Sequence, residues 1–225
     1  STTVILPLFV SHFTNNPLLI GLIPFLTTGG FLLPQVFMGN LVEHAPVKKF
    51  FPMTLGFFLE RLPLFLLAPM TYFWAVSRPE LALVSFFILF TWHCLGAGVI
   101  IVGWQDMVAK IIPVDKRGRF LGITNFIGNG AGILGAILVP FVIERSTFPT
   151  AYVVAFTAAG GLVFLSWIFL SLTREPAVPS TKPPVSQMEY MRSLPEVVRR
   201  DRNFRMYLLS QILFSLSGMA TGFLV

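Results

Sequence analysis

Residues 81–119 read LALVSFFILFTWHCLGAGVIIVGWQDMVAKIIPVDKRGR. No charged residue interrupts the run from Leu81 to Gly103, which is longer than the ~20 residues needed to cross a bilayer as a helix. The chain then turns basic at once, with Lys110, Lys116, Arg117 and Arg119 close together. A long apolar run that ends in clustered Lys and Arg is the pattern of a helix leaving a membrane on its cytoplasmic side. We read a span from Leu81 to Val108 followed by an inside loop.

The same alternation extends in both directions. Apolar runs at Leu18 to Met38 and Phe50 to Val76 precede this span, and runs at Phe120 to Ile143 and Tyr152 to Leu172 follow it. Val4 to Val10 is about half the length of a span, so the chain is expected to begin partway through a first helix, and a seventh opens near Met206. Pro24, Pro34, Pro63, Pro69 and Pro140 fall inside these runs and predict kinks, which membrane helices tolerate. Composition agrees: the 225 residues are 55% hydrophobic and 12% charged with 24 Phe, and the mean hydropathy is +0.78. The expected class is an all-α polytopic membrane protein, integral and multi-pass, in the plasma (cytoplasmic) membrane.

Segments 39–51, 110–119 and 173–205 hold 2, 4 and 7 Lys or Arg, against one each in 77–80 and 144–150 and none in 11–17. The first set is therefore assigned to the cytoplasm. The net charge of +6 is spent on topology, so no nucleic-acid partner is expected. Cys94 is the one cysteine, which excludes a disulfide framework. A nucleotide-binding Gly-rich loop, HExxH and GxSxG are all missing, so neither a cofactor, a metal site nor a catalytic residue is predicted.

The segment 173–205 starts Pro-rich (Pro176, Pro179, Pro183, Pro184) and reads as an extended linker. Within it Ser193-Leu-Pro-Glu196 fits a capping box. The residues after it, 197–205, read as a short basic helix at the membrane surface, with a solvated tether as the other reading. Three regions follow: a transmembrane bundle at 1–172, a cytoplasmic loop at 173–205 and the first helix of a second bundle at 206–225.

Gly39-Asn-Leu-Val-Glu43-His-Ala-Pro-Val-Lys48-Lys49 follows the second span. It resembles the motif of the major facilitator superfamily between helices two and three, with matches at Gly39, Glu43, Lys48 and Lys49. His44 stands where a longer base is usual and Pro46 where Gly is usual. The loop after span four, from Asp106 through Pro113 to Arg117-Gly118-Arg119, is similar to the acid, Pro, Arg-Gly-Arg pattern of the same family at the same ordinal position.

The resemblance implies an MFS-like six-helix N-terminal bundle, a long cytoplasmic loop and the start of helix seven, as a fragment. It also implies that Glu43, Lys48, Asp106, Arg117 and Arg119 form one charge network that latches a cytoplasmic gate in one conformation. Plain topogenic lysines with a chance Glu43 are the other reading. Gly96-Ala-Gly98 resembles the end of the family's fourth-helix motif, with Trp92 and Leu95 where Arg and Gln are usual. Gly128, Gly132 and Gly135 are similar to the fifth-helix glycines of family antiporters, and export stands beside simple helix packing as their meaning.

Polar residues inside the spans are the remaining candidates. His93 lies midway through span four, where an ionisable group is costly, so it is either functional or a neutral His bonded to a neighbouring helix. Together with Trp104, Asn125 and Asn129 it is a candidate for a substrate cavity. Glu60 and Arg61 are adjacent and point about 100° apart, so each is expected to pair with another helix as a structural ion-pair group.

The function implied is secondary active transport of a small solute by alternating access, with protons as a candidate coupling ion. The expected partners are the lipid bilayer, that solute and the remaining C-terminal half of the same protein. Two alternatives stand: a membrane enzyme acting on lipid-linked substrates, and a non-transporting accessory protein with the same fold.

Overall fold

The computed structural model describes residues 2–179 and 185–222, and these contain helices and no strand. Pro183, Pro184 and the last three residues of the seventh run lie outside the described residues.

Helix α1 is Thr2–Ser11. Then come α2 (Pro17–His44) and α3 (Phe51–Trp74), α4 (Pro79–Ile111), α5 (Val114–Arg145) and α6 (Thr150–Ser171). Five helices, from α2 to α6, are long and apolar enough to cross a membrane, each within a few residues of the run read from sequence. The molecule is an all-α, integral multi-pass membrane protein.

The chain divides into two compact units, Ser1–Ser180 and Thr181–Val225. In the first, α4 is the central post, packed against α2 and α3, and α6 packs on α3. The end of the unit that holds the short loops is filled by aromatic rings from α1, α4 and α6. Phe9 lies 5.0 Å from the ring of Tyr152, 5.4 Å from Phe86 and 5.3 Å from Phe156. At the basic end a smaller cluster of Met38, Val42 and Phe51 closes the α2–α3 corner.

The internal prolines shape this core. Wide, π-type turns occupy Leu26–Gly30 of α2 and Phe51–Leu55 and Phe57–Arg61 of α3, close to Pro24 and Pro34 and to Pro52 and Pro63. A proline has no N–H for the carbonyl four residues earlier, so Pro34 releases the Gly30 oxygen and Pro63 the Leu59 oxygen. Both lie near glycines of α4: a Cβ added at Gly96 would lie only 2.0 Å from the Leu59 oxygen, and one at Gly98 would lie 3.0 Å from the Gly30 oxygen and 2.4 Å from that of Phe31. Gly103 opens the same kind of space for the Phe51 ring. Three close-packing glycines are thus on α4, and Gly30 of α2 adds another, where a Cβ would lie 2.8 Å from that of Cys94.

Helix α5 differs. It packs on α6 and is exposed over most of its described length. A Cβ at Gly128, Gly132 or Gly135 would meet nothing within 4 Å. The expected close approach through these glycines is absent among the described residues, because no helix lies over that face.

The second unit holds α7 (Gln187–Arg200) and α8 (Arg202–Gly222). The Ser193 capping box is corrected here. Ser186 is the N-cap, its hydroxyl accepting from the Glu189 amide at 3.2 Å, and Ser193 lies mid-helix, donating to the Tyr190 carbonyl at 2.7 Å. Ser186-x-x-Glu189 has the same capping spacing two helical turns earlier, and the residues after it continue the helix. The predicted helix at 197–205 is broken at Asp201, whose carboxylate caps α8 by accepting from Asn203 at 2.8 Å and Phe204 at 3.1 Å.

Candidate functional site

Helices α2, α4 and α6 all end at the basic side of the first unit. Each C-terminus presents carbonyls without intrahelical partners and a negative partial charge, and each is met by a cation. Lys48 Nζ donates to the Val42 carbonyl and, at 3.0 Å, to that of Glu43 at the end of α2. Arg117 donates to Ala109 and, at 3.0 Å, to Ile112 at the end of α4. Lys49 Nζ reaches the Ser171 and Thr173 carbonyls at the end of α6, both at 2.6 Å. Lys49 therefore ties the α2–α3 loop to a helix more than a hundred residues later in the chain.

Sequence reasoning missed the residue at the centre of this arrangement. Glu175, just beyond α6, accepts from the Lys48 amide at 2.9 Å, the Lys49 amide at 2.6 Å and Lys110 Nζ at 2.8 Å. Its side chain is fully shielded, and that of Lys110 is 17% exposed. Lys110 also donates to the Pro46 carbonyl at 2.9 Å, which receives the Val178 amide at 3.3 Å as well. The start of the predicted linker is thus docked on the first unit. The signal in the sequence was slight: one acid between Arg174 and Pro176 directly after a span.

The acids expected in the network stand close by. Lys48 feels Asp106 most strongly among the charged groups, followed by Lys110, Glu175 and Glu43. Burial is the largest influence and pulls the Lys48 ammonium below its ordinary 10.5. Asp106 is exposed, Glu43 and Gly39 are half-buried, and Gly118 and Arg119 are exposed at the start of α5. Arg117 serves the end of α4 and does not pair with an acid among the described residues.

For Glu175, burial pushes the carboxyl up, but the bonds from Lys110, Lys48 and Lys49 outweigh it and hold the group below 4.5. A carboxylate depressed in the folded state stabilises above its unfolded pKa and loses that contribution as pH falls through the folded one. The docked loop is therefore expected to stay closed from neutrality down to the ordinary carboxylate value of 4.5 and to open below it. A spin label at Val47 should keep the same mobility from about pH 8 to about pH 5.5 and gain mobility only in stronger acid; a gain near pH 6.5 would contradict the assignment.

Deeper in the unit, His93 Nδ1 donates to the Glu60 carbonyl of α3 at 2.8 Å. That bond matches the interhelical reading of this histidine. Arg61 is buried and bonds both the Pro52 carbonyl and the Glu60 carboxylate, each at 3.1 Å. The expectation of separate partners on other helices is corrected: the π-wound backbone and long side chains let these neighbours fold onto each other over Gly56, where a Cβ would lie 2.5 Å from Arg61 Nη1. Arg61 Nε has no hydrogen-bond partner among the described residues.

The pair lines a cleft of about 510 Å³ together with Trp104 of α4, Ser166 of α6 and Thr173 just beyond it. Asn125 and Asn129 lie away from it, exposed on α5, without hydrogen-bond partners among the described residues. Trp104 is thus gathered with Glu60 and Arg61, and His93 touches the same turn of α3, whereas the two asparagines share a separate open face.

A family model described as Major Facilitator Superfamily matches residues 1–225, the whole chain. Neither a curated protein nor a solved structure matches it.

Proposed function

The chain belongs to the major facilitator superfamily, so it is a membrane transporter of that type, and we propose that it moves a small solute by alternating access with the Glu175 network as a cytoplasmic latch. The observation that carries this reading is the bonding of one shielded carboxylate to the α2–α3 loop and to α4. The contacts are made by loop and helix-end groups, so they form in one arrangement of helix ends and break in another. Asp106 and Glu43 flank Lys48 and set its electrostatic seat, while Arg117 fixes the end of α4.

The open face of α5 is the proposed wall of the solute path. Two bare amides on a membrane helix are expensive against lipid, and Asn125 and Asn129 are both exposed. Trp104, beside the Glu60–Arg61 pair, is proposed to contribute from the cleft. His93 holds helices together, which makes it a weak choice for carrying a coupling proton.

The test is solute flux by the full-length protein in proteoliposomes. Asp106→Asn and Glu43→Gln are expected to slow turnover at least tenfold while solute binding and expression hold. Wild-type rates in both would remove the latch assignment, and no flux across a broad solute panel would favour the accessory-protein reading.

A further inference from the structure

One donor edge inside the first unit is unused. Arg61 is only 7% exposed, and its Nη1 alone makes both of its bonds, to the Pro52 carbonyl and the Glu60 carboxylate. Nε is buried without an acceptor, and no bond from Nη2 is found among the described residues. In a guanidinium these two nitrogens form the side edge, a parallel pair of donors that fits a carboxylate or a phosphate bidentately. A buried donor left bare costs free energy that an incoming acceptor returns.

The edge is also at the right depth. Arg61 stands ten positions after Phe51, where α3 begins. That is ~15 Å of helical rise from the basic end, about halfway across a ~30 Å hydrocarbon core. The cleft of about 510 Å³ that Arg61 lines falls within the about 300–1,000 Å³ of small-molecule sites. Its walls include Phe31, Ile100, Ile101, Phe169 and Leu170, and at its cytoplasmic end is Thr173, whose carbonyl Lys49 holds at 2.6 Å. The cleft thus runs from mid-membrane to the latch. Apolar walls with one free cationic edge fit a hydrocarbon body that carries a single carboxylate. A phosphate dianion fits worse, since one guanidinium faces two charges with Glu60 already beside it.

We propose that this cleft binds a small amphipathic monocarboxylate on the Nε–Nη2 edge of Arg61, and that Glu60 takes up one proton as the anion arrives. Two carboxylates on one guanidinium repel each other, and a proton on one of them relieves the repulsion. The proton comes from the water at the open side of the cleft and stays on the Glu60 carboxyl. Arg61 keeps one counter-charge throughout, as a buried cation requires, and anion and proton move together without net charge. The other titratable group at this turn is His93 of α4, whose Nδ1 bonds the Glu60 carbonyl. Among the described residues α2 and α6 bring none to the cleft.

The test is equilibrium binding to the full-length protein in nanodiscs. The probes are radiolabelled benzoate and hexanoate, with benzamide and hexanamide as uncharged matches. Both carboxylates should bind at least tenfold tighter than their amides, and their dissociation constants should fall ~tenfold for each pH unit lost between 8 and 6. Arg61→Gln should abolish binding. Glu60→Gln should bind both carboxylates at least tenfold tighter at pH 8 and lose the pH dependence, a gain that misfolding cannot produce.

Carboxylates that bind no better than their amides would mean that protein groups elsewhere in the full chain satisfy Arg61, and the site falls. It falls equally if Arg61→Gln keeps the binding, if Glu60→Gln weakens it, or if Glu60→Gln leaves the pH response in place, which would make His93 the titrating group. As a solute site the cleft rests on the transport reading, but binding needs no flux. A protein that moves other solutes and ignores both carboxylates would sink the site and spare the transporter.

Discussion

Gly96→Val is expected to abolish the folded transporter. An added Cβ would sit 2.0 Å from the Leu59 oxygen and 2.3 Å from its carbonyl carbon, and backbone cannot rotate aside as a side chain can. Accommodation requires α3 and α4 to separate, which breaks the His93 bond to Glu60 at the same turn. The cost should reach the top of the overpacking range, about 3 kcal/mol or more. Fluorescence-detected size-exclusion chromatography after detergent extraction should show an aggregated or missing peak. Gly128→Ala is the control, since its Cβ meets nothing within 4 Å. Equal thermal stability of the two variants would show that α3 and α4 do not approach as described.

Glu175→Ala should have the second largest effect, on the docked loop and with little global loss. It removes the acceptor of two amides and of Lys110 Nζ in a shielded place. Hydrogen bonds to a charged group contribute about 1.5–3 kcal/mol each, less what water recovers once the loop opens. A net loss of about 3 kcal/mol is a hundredfold rise in the opening equilibrium. Amide exchange at Lys48 and Lys49 should accelerate by that order while exchange in the middle of α4 stays unchanged. Glu175→Gln keeps an acceptor and should fall between. If exchange at Lys48 is as slow in the alanine variant as in the parent, Glu175 does not hold the loop.

The spans were legible in the sequence because bilayer thickness imposes a length and water imposes a composition, and both act residue by residue. Leu81 to Val108 became Pro79–Ile111 with only the ends changed. The basic loops were legible as a charge count, though not the use that the structure makes of them. Lys48, Lys49 and Arg117 each sit on a helix end, which depends on where three helices stop in space. Glu175 was not legible, because a single acid has no periodicity and its partners lie 126 and 127 positions earlier. The glycines were only partly legible. The run at 128–135 has the spacing of a packing face, but Gly96 and Gly98 gain their role from backbone carbonyls that proline-bearing helices bring against them. No local pattern reports that coincidence.

The reach of Glu175 across the chain also sets a schedule. A ribosome adding about 5–20 residues per second needs roughly 6–25 s to pass from Lys49 to Glu175, a separation of 126 residues. Throughout that interval the nascent α2–α3 loop has neither its carboxylate nor the end of α6 to bind. It must be left bare, or be shielded by the insertion machinery, until the sixth helix has emerged.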